Sequence, residues 1–534
     1  MKYLIGIDAG TTSMKGILID EYGNKVCLAS ENYDLITQSK FEVEIHAETY
    51  WKAFKNIIAG ILSISKINPE DIKAISVDSQ GETLICVDEK GEPLRKAIVW
   101  LDNRSTLEAE EIRNNFNMEE IFNRTGQPEV AATWPATKIL WLRKNEKHIF
   151  EKTKKYLLVG DYINYKLTGK YVTDKSLISS TLYFDIREGE WWKEILDFIG
   201  ITEEQLPYIE DSGIQIDSLT DEAARETGLS KNTIVVTGAL DQMAGAIGAG
   251  NIYSEVISES TGTCLAVCVN IQNPIPYSEQ YRIPCHCNAL LDKSGSGSNI
   301  QNVLINNHNQ YSLLFWSQTA GVILEWYKDN FYKNHEIMSN NCDHNIPEDN
   351  KYNKNSDSTI FQQIDCEAAK INPGSDGLIL LPHFSGSAVP YFNPRAKGVF
   401  FGITLNHTKA HFARAIMEAI GFMLREHIET AEGFGIEIKE IRTLGGGAKS
   451  SLWNQIKADI TGKEIITLEN TETTSLGSAI LAGIGTGVFK NIEDACKKCV
   501  KIKERYYPNA ANAAIYEEAY EKYKKIYKSI GHLY

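Results

Sequence analysis

Three stretches of this sequence place residues that can do chemistry close together. The first is Asp8-Ala-Gly10-Thr11-Thr12-Ser13-Met-Lys15. A Gly-Thr-Thr-Ser turn offers unpaired backbone N–H groups and three hydroxyls in a small space, a set that suits the oxygens of a phosphate chain. Asp8 beside it can hold Mg²⁺ through water, since Mg²⁺ keeps several waters and takes one or two protein carboxylates. On this stretch alone a plain polar hairpin reads equally well, and Lys15 equally reads as a solvated strand residue.

The second stretch is Ser79-Gln80-Gly81-Glu82-Thr83. Glu82 is its best candidate for gripping a polyhydroxylated molecule, because an acceptor-only carboxylate can fix two vicinal hydroxyls. Trp100, Asp102 and Arg104 follow as an aromatic, an acid and a base, which also fits a structural ion pair packed with a tryptophan. The third is Asp241-Gln242, at the start of a run of small residues. A lone aspartate there is ordinarily a helix cap, and chemically it is a base that stays ionised at pH 7. Glycine-rich turns at Thr261-Gly262-Thr263 and Gly445-Gly446-Gly447-Ala448-Lys449-Ser450 let a backbone approach a flat ligand, and serve equally as tight strand-to-helix turns. The sequence contains neither G-x-x-x-x-G-K-[ST] nor G-x-G-x-x-G, so a nucleotide site here would not use a Walker A loop.

The elements that must carry these residues follow from periodicity. Tyr3 to Ile7 and Met14 to Ile19 are β-rich apolar runs around the first turn, and Lys25 to Glu31 makes a third strand. Ala47 to Ser65 repeats apolar residues at helical spacing. Ile72 to Asp78 is a buried strand that delivers Gln80 and Glu82 at its C-terminal end, where open α/β sheets bind ligands. A proline in the first turn opens a helix at Pro135. Leu157 to Gly160 reads as a further strand, and Thr233 to Gly238 as another, ending at the Asp241 helix. The second half restarts the theme: Glu255 to Ser260, a Gly/Thr turn, then Cys264 to Val269. Two such hairpins, one heading each half, suggest a duplicated fold with one ligand between the halves. Residues 334–357 are rich in Asn, Asp and Lys and read as a surface insertion. A long helix from Thr408 to about Gly433, a strand at Ile441 to Leu444, helices at Leu452 to Ile460 and Ser475 to Gly487, and charged terminal helices complete the chain.

At 534 residues the chain exceeds the size at which one core keeps growing. A formal charge of −15 argues against nucleic acid or an anionic membrane as partner, since both require clustered Lys and Arg. The ten cysteines are scattered, mostly in apolar runs, as reduced thiols would be. Cys285-His286-Cys287 and Cys496-x-x-Cys499 invite a zinc reading, but strand alternation splits the first set between two faces and the second has no partner pair nearby. The first strand starts at residue 3, leaving no room for a signal peptide, and no apolar run reaches the roughly 20 residues of a membrane span. The expected location is cytoplasmic.

With the turn at Gly445 to Gly447 in place, the sequence resembles the FGGY family of carbohydrate kinases, within the actin-like ATPase fold. Gly398-Val-Phe-Phe-Gly402-Ile403, followed by His411-Phe412-Ala413-Arg-Ala415-Ile416-Met-Glu418, is similar to that family's long C-terminal signature. Lys138-Ile-Leu-Trp141-Leu resembles the N-terminal one, with a departure at Thr133. The resemblance implies an α/β protein of two duplicated actin-like ATPase (ribonuclease H-like) domains, at 1–250 and 251–534, with an interdomain nucleotide cleft. It also implies ATP and Mg²⁺, a small sugar or polyol as partner, and phosphoryl transfer to a primary hydroxyl. Carried over by position, Asp241 is the catalytic base and Asp8 serves Mg²⁺. Thr11, Thr12, Ser13, Lys15 and Thr263 touch phosphates, while Gly321, Gly446, Gly447 and Ala448 line the nucleoside pocket. Gln80, Glu82, Asp241 and Gln242 bind the acceptor. A homodimer is one assembly open to such a chain.

Acceptor identity is mixed in the motifs. Gln80-Gly81-Glu82-Thr83 resembles the Gln-Arg-Glu-Thr of glycerol kinases with arginine replaced by Gly81, and lacks the Gln-Met-His-Gly of xylulokinases. Ser385 to Tyr391 lacks the Glu-Arg pair of xylulokinases, whereas Gly445 to Ser450 resembles them. Gly81 in place of arginine is expected to widen the pocket for a substrate longer than glycerol. A ketose or polyol kinase, xylulokinase-like, is the leading expectation and a glycerol kinase the alternative. An actin-like ATPase acting as chaperone or activator is the alternative of another class; it needs a client-binding domain or a metal-cluster cysteine set.

Overall fold

The computed structural model describes residues 1–37, 39–289, 311–332 and 357–534. The insertion read at 334–357 therefore lies outside the described residues except for its last one. Two sheets organise the rest. The first takes β1 (Tyr3–Ala9), β2 (Ser13–Asp20), β3 (Lys25–Asn32), β4 (Ile72–Ser79), β5 (Gln215–Ser218) and β6 (Ile234–Val236), in the order β5-β6-β4-β1-β2-β3. The second takes β7 (Val256–Thr261), β8 (Leu265–Ile271), β9 (Cys285–Cys287), β10 (Tyr311–Ser317), β11 (Glu440–Leu444), β12 (Glu464–Leu468) and β13 (Ile502–Tyr506), in the order β9-β10-β8-β7-β11-β12-β13.

The repeat is visible in pairing as well as order. β1 runs antiparallel to β2 and parallel to β4; β7 runs antiparallel to β8 and parallel to β11. Five strands of each sheet thus share one topology, β3-β2-β1-β4-β6 against β10-β8-β7-β11-β12, as the paired hairpins of the sequence anticipate. Register then fixes equivalences: Asp8 pairs with Lys15 and Asp78, while Ser260 pairs with Ala266 and Leu444.

Local patterning explains the helices. In α1 (Ala47–Ser65), Tyr50, Trp51, Phe54, Ile57, Ile58 and Ile61 form the buried stripe. α2 (Pro135–Asn145) starts on its proline, whose missing N–H costs nothing in a first turn. The stretch read as a strand through Gly160 is corrected: the strand stops at Leu157 and α3 (Val159–Thr168) follows, because the Asp161 carboxylate accepts the Leu158 N–H at 2.8 Å and caps the helix. β13 is a second correction. Its alternating charges suit an exposed edge strand, yet in sequence they blend into the charged helices around it.

α4 (Asp241–Gly248) and α8 (Thr473–Gly485) join the halves. Their backbones touch: a Cβ on Gly248 would lie 1.8 Å from the Thr473 carbonyl oxygen, and one on Gly477 would lie 1.9 Å from that of Ala244. α8, from the second half, also lies on the first sheet, where Gly6 leaves room for the Ser475 carbonyl and the Ser478 hydroxyl donates to Asp78 at 2.5 Å. α5 (Gly321–Phe331), α6 (Lys409–Gly433) and α7 (Ser451–Thr461) build the second half around its sheet. Among the described residues no helix is long and apolar enough to cross a membrane.

Candidate active site

The strand ends of both sheets and the N-termini of α4 and α8 meet at one pocket, lined by Asp8, Lys15, Asp241, Gln242, Ser260, Ala266, Leu444, Gly445 and Glu472 to Thr474 among others. Carboxyl groups dominate its first-half wall. Burial and the facing Asp241 carboxylate push Asp8 up to about 7. Asp78, its neighbour across β4, is completely buried and raised well above the usual carboxylate range by burial and by Asp8. Ser478 satisfies one Asp78 oxygen; the other, Oδ1, has no partner. Asp241 is pushed up to about 6 by burial, against the pull of the Gln242 N–H, which donates to it at 2.7 Å.

Lys15 is a partly exposed strand residue with a fixed partner. Its ammonium lies 2.7 Å from Glu472, at the start of α8, so the cation of the first hairpin is held by the second half. Thr12 is exposed at the tip of the first turn, with Ser13 beside it. Thr11 is differently engaged: the Trp100 indole N–H donates to its hydroxyl at 3.0 Å, and that hydroxyl donates to the Gln80 side-chain carbonyl at 3.0 Å. Gln80 donates in turn to the buried Tyr50 hydroxyl at 2.8 Å. The phosphate-type turn and the Gln80–Glu82 strand end are thus one hydrogen-bonded wall.

Glu82 sits in the left-handed region at φ 58°, a strained place for glutamate. Lys138 of α2 holds it there, donating to the Glu82 carbonyl at 2.9 Å and to the Val99 carbonyl at 3.1 Å. Burial drives the Glu82 carboxyl up and the Lys138 ammonium down, and each opposes the other's shift by its charge. The widening expected from Gly81 is not found. A Cβ there would lie 2.7 Å from the Ser180 hydroxyl and 3.1 Å from Leu240, so these two side chains already fill the direction an arginine would take. Asp102 and Arg104 form the structural ion pair, bidentate with contacts at 2.9 and 2.8 Å, with Arg104 stacked over Trp141 at 5.0 Å.

Thr263, Gly321 and Gly446 to Ala448 are not among the residues that line this pocket, but the second half packs Gly321 on the Gly262–Thr263 turn and Gly447 on Thr261. The Gly262 carbonyl accepts the Gly321 N–H at 2.8 Å and the Thr263 carbonyl accepts that of Ala320 at 2.9 Å. A Cβ on Gly321 would meet the Gly262 carbonyl at 2.4 Å, and one on Gly447 would meet the Thr261 side chain at 2.8 Å. Cys285 and Cys287 are buried thiols in β9, with His286 buried between them and driven down to about 4 by burial. Sequence reasoning missed Asp78, Lys138 as a loop clamp, Ser180 and Glu472. Asp78 alone carried a local signal, as an acid near the end of a strand whose residues are all buried except Lys73.

Comparison with known proteins agrees with this geometry. Residues 3–248 match the N-terminal domain of the FGGY family of carbohydrate kinases and residues 310–486 its C-terminal domain. A xylulose kinase of Bacillus subtilis is 30% identical over 99% of this chain and 97% of its own. A gluconokinase of the same organism is 31% identical over 96% of this chain and 93% of its own. The ligand-bound xylulose kinase structure from Lactobacillus acidophilus superposes with a TM-score of 0.84 at 27% identity, covering 99% of both chains. The two-sheet architecture with its cleft is the actin-like ATPase fold expected from the sequence, and the chain belongs to the FGGY family of carbohydrate kinases.

Proposed function

We propose that the protein transfers the γ-phosphoryl group of ATP to a primary hydroxyl of a small neutral ketose or polyol, in the manner of the xylulose kinases it resembles, with Asp241 as general base. The observation that carries this is the position of Asp241: at the start of α4 it lines one pocket with Asp8 and Lys15 of the first hairpin, and its charge also reaches the Glu82 carboxyl. A hydroxyl bound there would give its proton to Asp241 as its oxygen forms the bond to phosphorus and the bond to ADP breaks. A pKa near 6 leaves Asp241 ionised at pH 7 and basic enough to take that proton. Such transfer relies on positioning and charge neutralisation more than on covalent help. The hydrogen-bonded wall from Thr11 to Gln80 and the clamp on Glu82 supply the positioning.

The donor set also fits Mg²⁺. The Asp241 charge raises both Asp8 and Asp78, Asp8 raises Asp78 further, Asp78 Oδ1 lacks a partner, and hard oxygens of this kind suit a hard cation. Asp8 would hold it through water, and Mg²⁺ supplies charge neutralisation on the phosphate oxygens when bound.

A neutral acceptor is favoured over a sugar acid because three cations near the site, among the described residues, are already engaged. Lys138 is spent on two carbonyls, Arg104 on Asp102 and Glu44, and Lys15 on Glu472. The test is Mg-ATP consumption against D-xylulose, other ketoses, polyols including glycerol, and gluconate, with water as blank. Stimulation by one neutral compound far above the blank is expected. Strict preference for gluconate would overturn the charge argument, and strict preference for glycerol would put the glycerol kinase alternative in place of a xylulokinase-like reaction.

A further inference from the structure

Beneath the second Gly/Thr turn lies a group that the reaction does not use. Glu259 of β7 and Lys457 of α7 form an ion pair at 2.6 Å with both side chains fully buried. Lys457 also donates to the Thr261 hydroxyl at 2.9 Å, and that hydroxyl donates to the other Glu259 oxygen at 2.8 Å. The Thr443 hydroxyl of β11 completes the set on Glu259. We propose that this pair is a positioning device for the second half's side of the nucleotide cleft: by clamping Thr261 it fixes the Gly262–Thr263 turn, read as a phosphate contact, and the Gly445–Ala448 turn, read as the nucleoside pocket, against each other. The proposal rests on the reading that ATP binds between these turns.

Two observations carry it. Thr261 is where the turns touch, since a Cβ on Gly445 would lie 2.9 Å from its carbonyl oxygen and one on Gly447 would lie 2.8 Å from its Cβ. A single rotamer of Thr261, pinned by an ammonium on one side and a carboxylate on the other, therefore sets the spacing of both. The second observation is the duplicated half. By strand register, Glu259 stands where β1 has Ile7, Thr443 where β4 has Val77, and Thr261 where β1 has Ala9. Those three are buried apolar residues, and they support the first turn without any charge. Apolar packing is thus enough to build such a hairpin. A buried ion pair seldom improves on it for stability, since desolvation offsets the attraction. What charge adds is direction: a hydroxyl held by both partners cannot rotate, whereas a methyl group in an apolar layer can repack.

The test separates the hydroxyl from the packing. Thr261→Val keeps the shape and cuts the link; Thr261→Ser keeps the link and removes the methyl. The double variant Glu259→Leu/Lys457→Met removes the pair without stranding a buried charge. Thr261→Val and the double variant should each raise KM for ATP about tenfold, leave KM for the acceptor within twofold, and melt close to the parent, while Thr261→Ser keeps the parent's KM for ATP. A double variant that fails to fold leaves the comparison of Val with Ser at 261 to decide. Unchanged KM for ATP in Thr261→Val would overturn the proposal. Hydrogen exchange of the parent protein with and without a non-hydrolysable ATP analogue distinguishes the two levels. Protection at 261–263 and 445–448 upholds the site, so that a null Thr261→Val then counts against the clamp alone. Absence of protection there removes the site itself, and the clamp with it.

Discussion

The two halves of this molecule share a strand topology and end in the same kind of turn, yet their strand ends differ in kind. At equivalent register the first half presents Asp8 and Lys15 to the pocket and the second presents Ser260 and Ala266. Asp78 next to Asp8 corresponds to Leu444 next to Ser260. The helix that follows begins with Asp241 and Gln242 in one half and with Thr473 and Thr474 in the other. Beneath the turns the contrast reverses, with apolar residues under the charged half and the Glu259–Lys457 pair under the neutral one. Duplication has therefore left one frame with two jobs. Charge and a base gather where phosphates and a hydroxyl would react, and shape and small residues where a flat, uncharged group would lie.

On the proposed reaction, the largest single loss follows from neutralising Asp241. Asp241→Asn should fold and bind ATP with unchanged affinity while kcat falls about 10³-fold, within the range for removing a general base. In the parent, kcat/KM should fall tenfold per pH unit below about 6, where Asp241 protonates. Steady-state rates with the best acceptor, beside calorimetric ATP binding, read both. A variant that keeps a tenth or more of the parent's rate would take Asp241 out of the reaction.

Much of this contrast was legible in the sequence. The two hairpins, the buried strand ahead of Gln80 and the glycine turns all depend on local patterning, which sequence carries directly. The lone acid and glycine positions took their roles from resemblance, because Asp241 by itself reads as a helix cap. What escaped depends on contacts between distant positions. Nothing near Lys15 announces Glu472, which lies in the other half and meets it only because α8 crosses onto the first sheet. Gly81 misled for the same reason: its neighbours Ser180 and Leu240 arrive from far along the chain and close the space that a missing side chain seemed to open. The helix at Val159 and the edge strand β13 were hidden by short segments whose polarity fits either structure.

A smaller effect is expected from making the second half resemble the first. Ser260→Asp places a carboxylate at the position equivalent to Asp8, on the wall read as the neutral one. Repulsion from phosphate oxygens across a half-screened cleft is worth about 1–2 kcal/mol, so KM for ATP should rise about tenfold with KM for the acceptor unchanged. An unchanged KM for ATP would show that this wall does not face the nucleotide.

The smallest effect concerns stability and tests why the acids gather at all. Asp78 and Asp8 have folded pKa values raised above their ordinary values, both by burial first, then Asp78 by the Asp8 charge and Asp8 by the Asp241 charge. A group raised in this way contributes stability that is fully present below its unfolded pKa and is lost as pH rises through the folded one. For Asp8 that window runs from 3.8 to about 7. The ligand-free protein should therefore lose stability as pH rises through this range, the charge of Asp78 adding to the loss. Asp78→Asn removes that charge while its side-chain carbonyl can still accept from Ser478. At pH 8 the ligand-free variant should be more stable than the parent by about 1 kcal/mol, a melting shift of about 1–2 °C in a chain of this size. At pH 5, closer to the ordinary carboxylate range, the difference should be smaller, because the cost of holding a raised carboxyl grows as pH climbs above its unfolded pKa. Melting curves at the two pH values decide the matter. Equal shifts at both would mean that the substitution acts by packing, and that the carboxyl cluster stores no pH-dependent repulsion for a cation to relieve.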